Sequence, residues 1–238
     1  MISGVYWDQG CRQVNQDSVL LQQAVTGRGR VLMAAVSDGI GGLTEGEVAS
    51  GYITERLIEN FYRQILPIAA RGKGKEALKR SLLRCFYDCG VQLKRYGYGK
   101  DILLGATISV LLLWGRQYLI LHLGDSRIYR WRGGPGRRGE ARQLTCDHSD
   151  KGGGLTKCVG SFPFQYPDIL FGHLSRKSGF LLCTDGFYRK AGYEEFKLLA
   201  PGEIDGEEQI YKRLKMIAAQ SMKRGEKDNI SAVYTMVC

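Results

Sequence analysis

The sequence lacks the features that define several protein classes. Its 238 residues include seven cysteines, an odd number, and no Cys-x-x-Cys pair, so neither a disulfide framework nor a zinc cluster is expected. No apolar run reaches the roughly 18 residues that span a bilayer. The segment from Met1 to Gln13 includes Asp8 and Arg12 and has no apolar signal core. We therefore expect free thiols and a soluble, cytoplasmic protein.

Positive charge is in excess, because 34 lysines and arginines outnumber 24 aspartates and glutamates and give a net charge of +10. The basic residues are scattered along the chain, and no zinc finger, basic heptad or RNA-binding aromatic motif accompanies them. We expect a solvated basic surface that attracts acidic or phosphorylated partners. Neither nucleic acid nor a membrane is expected as a partner.

Apolar and β-branched runs that end in turn residues predict the strands. These runs are Ser18–Leu21, Val31–Val36, Thr107–Trp114, Gln117–Leu123, Arg127–Trp131, Arg142–Leu144, Gly179–Cys183 and Asn229–Val237. Gly115-Arg116 is a hairpin signal between the third and fourth of them. Helical periodicity covers Glu47–Ile65, Lys75–Tyr96 and Glu207–Met222. The pattern predicts sheets with helices packed outside and one domain over residues 1–238.

The helical segments carry apolar stripes. The first places Ile53, Leu57, Phe61 and Ile65 on one face, and the second places Leu78, Leu82 and Phe86 beside Leu83 and Tyr87. We expect these faces to pack against a sheet.

Aspartates recur at the ends of the predicted strands. Asp38, Asp125, Asp185 and Asp228 each adjoin an apolar run, and Asp17 precedes Ser18–Leu21. Strand ends can gather at one rim, where five carboxylates would repel each other unless cations neutralise them. Oxygen ligands without His or Cys favour Mg²⁺, Mn²⁺ or Ca²⁺ over zinc. Asp-Gly and Gly-Asp also form ordinary turns, so the pattern alone leaves both interpretations open.

Eight motifs in order resemble those of the metal-dependent serine/threonine phosphatases, the PPM or type 2C family, particularly its compact bacterial members. They are Arg12–Asp17, Val36–Gly42, Gly46–Ser50, Gly105–Thr107, His122–Arg127, Gln143–Ser149, Leu182–Gly186 and Lys227–Ser231. The resemblance covers nearly the whole chain. It implies an α+β fold, a four-layer α-β-β-α sandwich with two central, mainly antiparallel sheets flanked by helices.

The resemblance also implies a function and roles for individual residues. The chain would hydrolyse phosphoserine and phosphothreonine in proteins by direct attack of water activated by two Mn²⁺ or Mg²⁺ ions, and its substrates would be those of a serine/threonine kinase. Asp38 and the Gly39 carbonyl would hold the metals, and Asp185 and Asp228 would complete the second site. Asp125 would hold a third, weaker ion with Asp185, Asp17 would act through metal-bound water, and Arg12 would bind the phosphate.

The sequence departs from the family pattern at several positions. Gln16 stands where the family often has Glu, and Ile40 stands where some members have His. The family's helix and flap are missing, since only five residues separate Ser149 from Leu155. The missing region normally borders the substrate surface, so the deletion bears on specificity. The Gly41-Gly42 pair would allow close backbone approach beside the metals.

Other chemistries fit the sequence less well. Cys89 to Arg95 and Cys183 to Arg189 match the Cys-x5-Arg spacing of cysteine phosphatases but lack a phosphate-binding loop and electropositive surroundings. Gly134–Gly139 matches Gly-x-Gly-x-x-Gly without a following helix. Ser126 and His148 could belong to a triad, but no nucleophile elbow is present. The remaining alternative is a phosphatase-like module that binds a partner without catalysis.

Overall fold

The computed structural model describes residues 1–40, 45–132, 140–160, 163–175 and 177–237. Over these residues the strands are β1 (Ile2–Asp8), β2 (Asp17–Thr26), β3 (Gly29–Asp38), β4 (Ile108–Trp114), β5 (Gln117–Leu123), β6 (Arg127–Trp131), β7 (Ala141–Gln143), β8 (Asp168–His173), β9 (Ser178–Cys183) and β10 (Ile230–Val237). The α-helices are α1 (Gly46–Asn60), α2 (Leu66–Ala70), α3 (Lys75–Lys100), α4 (Asp185–Tyr188), α5 (Tyr193–Lys197) and α6 (Glu207–Lys223). A π-helical turn (Phe61–Ile65) joins α1 to α2, and a 3-10 turn (Pro201–Glu203) precedes α6.

The strands form two five-stranded sheets that pack face to face. The first has the order β1-β10-β9-β6-β7 and the second the order β2-β3-β4-β5-β8. Every pairing within them is antiparallel. Helix α6 covers the outer face of the first sheet, and α1 and α3 cover the second. The expected α+β sandwich of two antiparallel sheets flanked by helices is confirmed.

Side chains point alternately to the two faces of each sheet and so form three apolar layers. On β3, Leu32, Ala34 and Val36 face the other sheet. The intervening Met33 and Ala35 face the helices. The central strands are therefore buried on both faces, which is why they are continuous apolar runs in the sequence.

The predicted stripe of the first helical segment is fully buried, although the segment continues from α1 into the π-helical turn. The second stripe is only partly as predicted. Leu78, Leu82 and Phe86 are buried, but Tyr87 is 51% exposed. The centroid of its ring lies 5.3 Å from that of Phe164, so Tyr87 packs against a later segment of the chain as well as lying on α3.

Strands β1 and β8 and the short helices α2, α4 and α5 were absent from the sequence prediction. Gly4 interrupts the apolar pattern of β1, because a Cβ there would lie 2.5 Å from Ile210 of α6. Strand β8 is at the edge of its sheet and is mostly exposed, so it lacks an apolar alternation.

The connection between Ser149 and Leu155 is a tight turn. Ser149 and Leu155 form a β-bridge. Asp150 closes the turn, since its carboxylate accepts hydrogen bonds from the backbone of Gly152 at 2.8 Å and Gly154 at 2.9 Å. None of the described helices is both long and apolar enough to cross a lipid bilayer.

Candidate functional site

The topology brings the five aspartates to one end of the sandwich, the carboxylate rim. Asp17 begins β2 and lies directly opposite Asp38, which ends β3. Asp125 follows β5, Asp185 follows β9, and Asp228 precedes β10. The other four aspartates are close enough for their charges to act on Asp38. Burial of its carboxyl group raises the pKa of Asp38 well above the usual range, and the other four carboxylates raise it further.

Asp17 is a buried carboxylate with one unsatisfied oxygen. Only 2% of the residue is exposed. Its Oδ2 accepts a hydrogen bond from Thr184 Oγ1 at 2.8 Å, whereas Oδ1 is buried without a hydrogen-bond partner. Burial raises the pKa of Asp17 to about 6, the hydroxyl groups of Ser231 and Thr184 oppose this increase, and the charge of Asp228 adds to it. The ionised form is therefore costly without a cation.

Asp185 is the second carboxylate with an unsatisfied buried oxygen. Its Oδ1 has no hydrogen-bond partner, while its Oδ2 pairs with Arg189 one helical turn later. Burial raises the pKa of Asp185 to about 7, Arg189 opposes the shift, and neighbouring carboxylates including Asp125 and Asp228 reinforce it. One arginine thus does not neutralise this end of the rim.

Asp38 and Gly39 are held by the adjacent strand and helix. The Asp38 backbone N–H donates to Thr107 Oγ1 at 3.0 Å, and the Thr107 N–H donates to the Asp38 carbonyl at 2.8 Å. A Cβ at Gly39 would lie 2.2 Å from the backbone oxygen of Gly46, at the start of α1. Only glycine allows α1 to approach the rim this closely.

Asp228 is paired with Arg12, the residue predicted to bind phosphate. Arg12 Nη2 lies 3.0 Å from Asp228 Oδ2, and the Arg12 side chain is 51% exposed. Arg189 Nη1 lies 3.9 Å from both Asp228 and Glu226. Arg12 is thus beside the rim, but its ion-pair partner in this arrangement is a predicted metal ligand.

Asp125 also belongs to the electrostatic cluster. Burial raises its pKa, a backbone hydrogen bond opposes this, and the charge of Asp147 contributes to the increase. The Tyr188 hydroxyl donates to the Asp125 carbonyl at 3.0 Å and so ties α4 to the end of β5.

The donor set fits a hard divalent cation, although the carboxylates are not already arranged around a metal position. Among the described residues, no three His, Cys, Asp or Glu side chains form a group that could hold an ion. Arg12 and Arg189 instead contact Asp228 and Asp185. The fit rests on the two buried orphan oxygens and on ligands that are all oxygen atoms.

Comparison with known proteins identifies the family. The protein phosphatase 2C family model matches residues 10–227. This chain belongs to the protein phosphatase 2C family. No protein with a curated function matches the sequence significantly.

Solved structures of bacterial family members share the fold. The serine/threonine phosphatase Stp1 from Staphylococcus aureus superposes with a TM-score of 0.80 at 21% identity, covering 100% of this chain and 96% of that one. PppA, a regulatory component of the type VI secretion system in Pseudomonas aeruginosa, gives 0.73 at 25%, covering 98% and 95%. The catalytic domain of PstP, in complex with two manganese ions, gives 0.74 at 22%, covering 99% and 98%.

Several residues of the site were missed by sequence reasoning. Asn229 positions the segment before β2: its Oδ1 accepts from the Gln16 N–H at 2.9 Å, and its Nδ2 donates to Gln9 and Val14 carbonyls at 2.8 and 3.1 Å. Arg189 could have been found, since it lies four residues after Asp185 in a helical segment. No role was predicted for three further residues, which are Thr107, Thr184 and Glu226.

The alternative chemistries find little geometric support. Cys183 is fully buried, and burial raises the pKa of its thiol. Ser126 Oγ bonds to Thr107 Oγ1 at 2.7 Å, while His148 Nδ1 accepts from the Gly124 N–H. These contacts give both side chains structural partners. The Gly41-Gly42 pair and the Gly134–Gly139 motif lie outside the described residues.

Proposed function

We propose that this chain is a phosphatase that hydrolyses phosphoserine and phosphothreonine in proteins with the help of divalent cations. The observation that carries the proposal is the carboxylate rim of a protein phosphatase 2C family member. There, Asp17 and Asp185 each bury an oxygen without a partner. A buried, uncompensated negative charge favours cation binding.

The cofactors in this proposal are two Mn²⁺ or Mg²⁺ ions and a third, weaker ion. Asp38, the Gly39 carbonyl, Asp185 and Asp228 would hold the first two, and Asp125 with Asp185 the third. When bound, the ions supply positive charge that activates a water molecule and stabilises the charge of an in-line displacement at phosphorus. The two manganese ions in the PstP complex support this assignment.

The chain's own residues would position the reactants around that charge. Asp17, held by Thr184, would accept a hydrogen bond from water at the rim. Arg12 presents a planar fork of donors that matches phosphate oxygens. Because Arg12 is half exposed and bonded only through Nη2 to Asp228, its side chain can turn to a phosphate once a cation neutralises that carboxylate.

Substrate selection would depend on the shortened connection after β7. The tight turn closed by Asp150 would stand where larger family members have a helix and flap. The rim is thus bordered on this side by a short loop, and we propose that phosphorylated segments of protein substrates of a serine/threonine kinase reach it in an extended form. We further propose that residues 1–238 form one catalytic domain.

The test is turnover of p-nitrophenyl phosphate and phosphothreonine peptides by the purified chain with Mn²⁺ or Mg²⁺. We expect hydrolysis that EDTA abolishes and that added Mn²⁺ restores. Asp185→Ala should remove activity, whereas Asp88→Ala, an exposed carboxylate on α3, should not. A folded wild-type chain without turnover under these conditions would instead favour the non-catalytic binding module.

A further inference from the structure

A basic cavity lies at the opposite end of the sandwich from the carboxylate rim. We call it the arginine pocket. Its volume is about 960 Å³, and its lining includes Tyr118, Arg130, Arg132, Arg142, Phe171 and His173. Strand β5 runs from Tyr118 at this pocket to Leu123 beside Asp125 at the rim. The two sites are therefore separated by roughly 15–20 Å, the length of about five strand residues.

Arg130 is a buried cation at the base of the pocket. Only 4% of the residue is exposed. Its guanidinium donates to the His173 carbonyl at 2.9 Å, Ser178 Oγ at 3.2 Å and Tyr118 Oη at 3.3 Å. All three acceptors are neutral, and the buried Nε has no acceptor. No carboxylate in the described part of the chain forms an ion pair with Arg130.

The pocket concentrates further positive charge beside Arg130. Arg142 on β7 lies directly opposite Arg130 on β6. Arg132 follows two residues after Arg130, so strand alternation directs it to the same side. Like charges facing each other across strands are destabilising. Burial lowers the pKa of Arg130, and the charge of Arg132 lowers it further.

Two aromatic rings offset the charge of Arg130 in part, since its guanidinium lies 5.0 Å from the ring centroid of Tyr118 and 5.4 Å from that of Phe180. Glu140 is the one acidic residue among the described lining residues, and neither Arg132 nor Arg142 forms an ion pair with a described side chain. Three arginines against one glutamate leave the pocket positive. A multiply charged anion bound at the exposed Arg132 and Arg142 would offset this repulsion.

The lining also indicates what kind of anion the pocket would accept. Arginine forks match phosphate oxygens, often with two parallel hydrogen bonds. Tyr118, Leu144, Leu170 and Phe171 supply apolar and aromatic walls. The volume is near the upper end of the roughly 300–1,000 Å³ typical of small-molecule sites. We propose that the arginine pocket binds a nucleoside polyphosphate, with its phosphates on the arginines and its base against the apolar walls.

The experiment is isothermal titration calorimetry of the full chain in EDTA, with ATP, inorganic pyrophosphate and adenosine as probes. EDTA keeps cations from the carboxylate rim, which then repels phosphates. We expect one ATP per chain, pyrophosphate about tenfold weaker because it leaves the walls uncovered, and no measurable heat from adenosine. No ATP binding would overturn the proposal, as would adenosine binding as tightly as ATP. Equal affinities for ATP and pyrophosphate would overturn the nucleoside assignment.

Substitutions test whether ATP binds at the arginine pocket. Replacing buried Arg130 could unfold the chain, so the test pair is the exposed Arg132→Ala and Arg142→Ala, combined. The control is Lys212→Ala with Lys215→Ala, which removes the same charge from the exposed surface of α6. We expect ATP binding to weaken about a hundredfold in the first variant and less than about threefold in the control. An equal loss in both would show non-specific attraction to a basic protein and would overturn the site.

Discussion

The two ends of the β-sandwich bury charges of opposite sign. At the carboxylate rim, Asp17 and Asp185 each have a buried oxygen without a hydrogen-bond partner. At the arginine pocket, the unsatisfied buried atom is the Nε of Arg130. Both ends bear a desolvation cost that the described contacts only partly offset. The comparison indicates that the sign of the uncompensated charge predicts the sign of the ligand.

The ends differ in their counterions. Arg12 and Arg189 reach into the rim and pair with Asp228 and Asp185, whereas the three arginines of the pocket form no ion pair with a described carboxylate. On the proposed function, a metal ion would replace these arginines as the partner of the carboxylates. The pocket has no such built-in substitute, so its occupancy would depend on a ligand from solution.

The largest expected effect comes from removing one charge at the rim. Asp38→Asn should lower phosphatase kcat/KM by at least about a thousandfold, because Asp38 would be a ligand of the proposed metal ions. The metal-free variant should nevertheless unfold at a higher temperature than wild type, since burial and then the neighbouring carboxylates raise the pKa of Asp38 and disfavour its ionised form. Calorimetry in EDTA and kinetics with Mn²⁺ measure the two effects. Asp88→Asn is the control, and a variant that is inactive because it is unfolded would contradict the assignment.

A buried titratable group can also be accommodated in its neutral form, and His122 tests this. The pKa of His122 is lowered from 6.5 to about 4. Burial is the largest cause, and the stacked His148 ring also lowers the pKa, whereas the Cys146 carbonyl, Asp168 and Asp147 oppose the decrease. Between pH 4 and pH 6.5, the unfolded chain binds a proton at His122 that the folded chain does not bind. The free energy of unfolding should therefore fall as pH falls from 6.5 to 4, by on the order of 3 kcal/mol.

The measurement for His122 is urea unfolding across this pH range. The rim aspartates have raised pKa values and therefore change the free energy of unfolding in the opposite direction. The contribution of His122 is obtained from the difference in this free energy between wild type and His122→Gln. That difference should shrink toward acidic pH, while His173→Gln, at an exposed position, should behave like wild type. Parallel pH profiles for wild type and His122→Gln would refute the neutral buried histidine.

Gly39→Ala tests how closely α1 must approach the rim. The added Cβ would lie 2.2 Å from the Gly46 oxygen, so the backbone that carries Asp38 has to shift. A displacement near 1 Å at a catalytic group costs about a hundredfold in rate. Gly99→Ala is the matched control, because a Cβ there meets nothing within 4 Å. Undiminished kcat in Gly39→Ala would show that the close approach is irrelevant to catalysis.

Arg189→Ala gives the smallest expected effect and tests the exchange of cations at the rim. Arg189 pairs with Asp185 and lies 3.9 Å from Asp228, so it would compete with a metal ion for those carboxylates. Its removal should tighten Mn²⁺ binding about tenfold, or about 1.4 kcal/mol. Calorimetric titration with Mn²⁺ measures this, and weaker binding would mean that Arg189 supports the metal site instead.

Much of the framework was predictable from local patterns. Ile53, Leu57, Phe61 and Ile65 lie at helical spacing and are buried as expected. The strand-end positions of the aspartates, together with the family motifs, indicated a shared rim. The prediction of the buried helical stripe succeeded because apolar periodicity is a property of short segments.

The remaining features depend on pairings between distant segments. The opposition of Arg130 and Arg142 follows from the β6–β7 register, which the intervening loop does not fix in the sequence. The ion pair of Arg12 with Asp228 joins residues near the two ends of the chain. Asn229 was read only as part of a motif, although its side chain holds the segment before β2.

The central claim is that the carboxylate rim binds divalent cations. Electron paramagnetic resonance tests it directly, because free aqueous Mn²⁺ gives a sharp signal that is lost on binding. Titration of the wild-type chain should remove the signal of about two ions per molecule, as expected for a two-metal phosphatase site. Asp38→Asn should remove markedly less. A free-ion signal that wild-type protein leaves undiminished at millimolar Mn²⁺ would contradict the account.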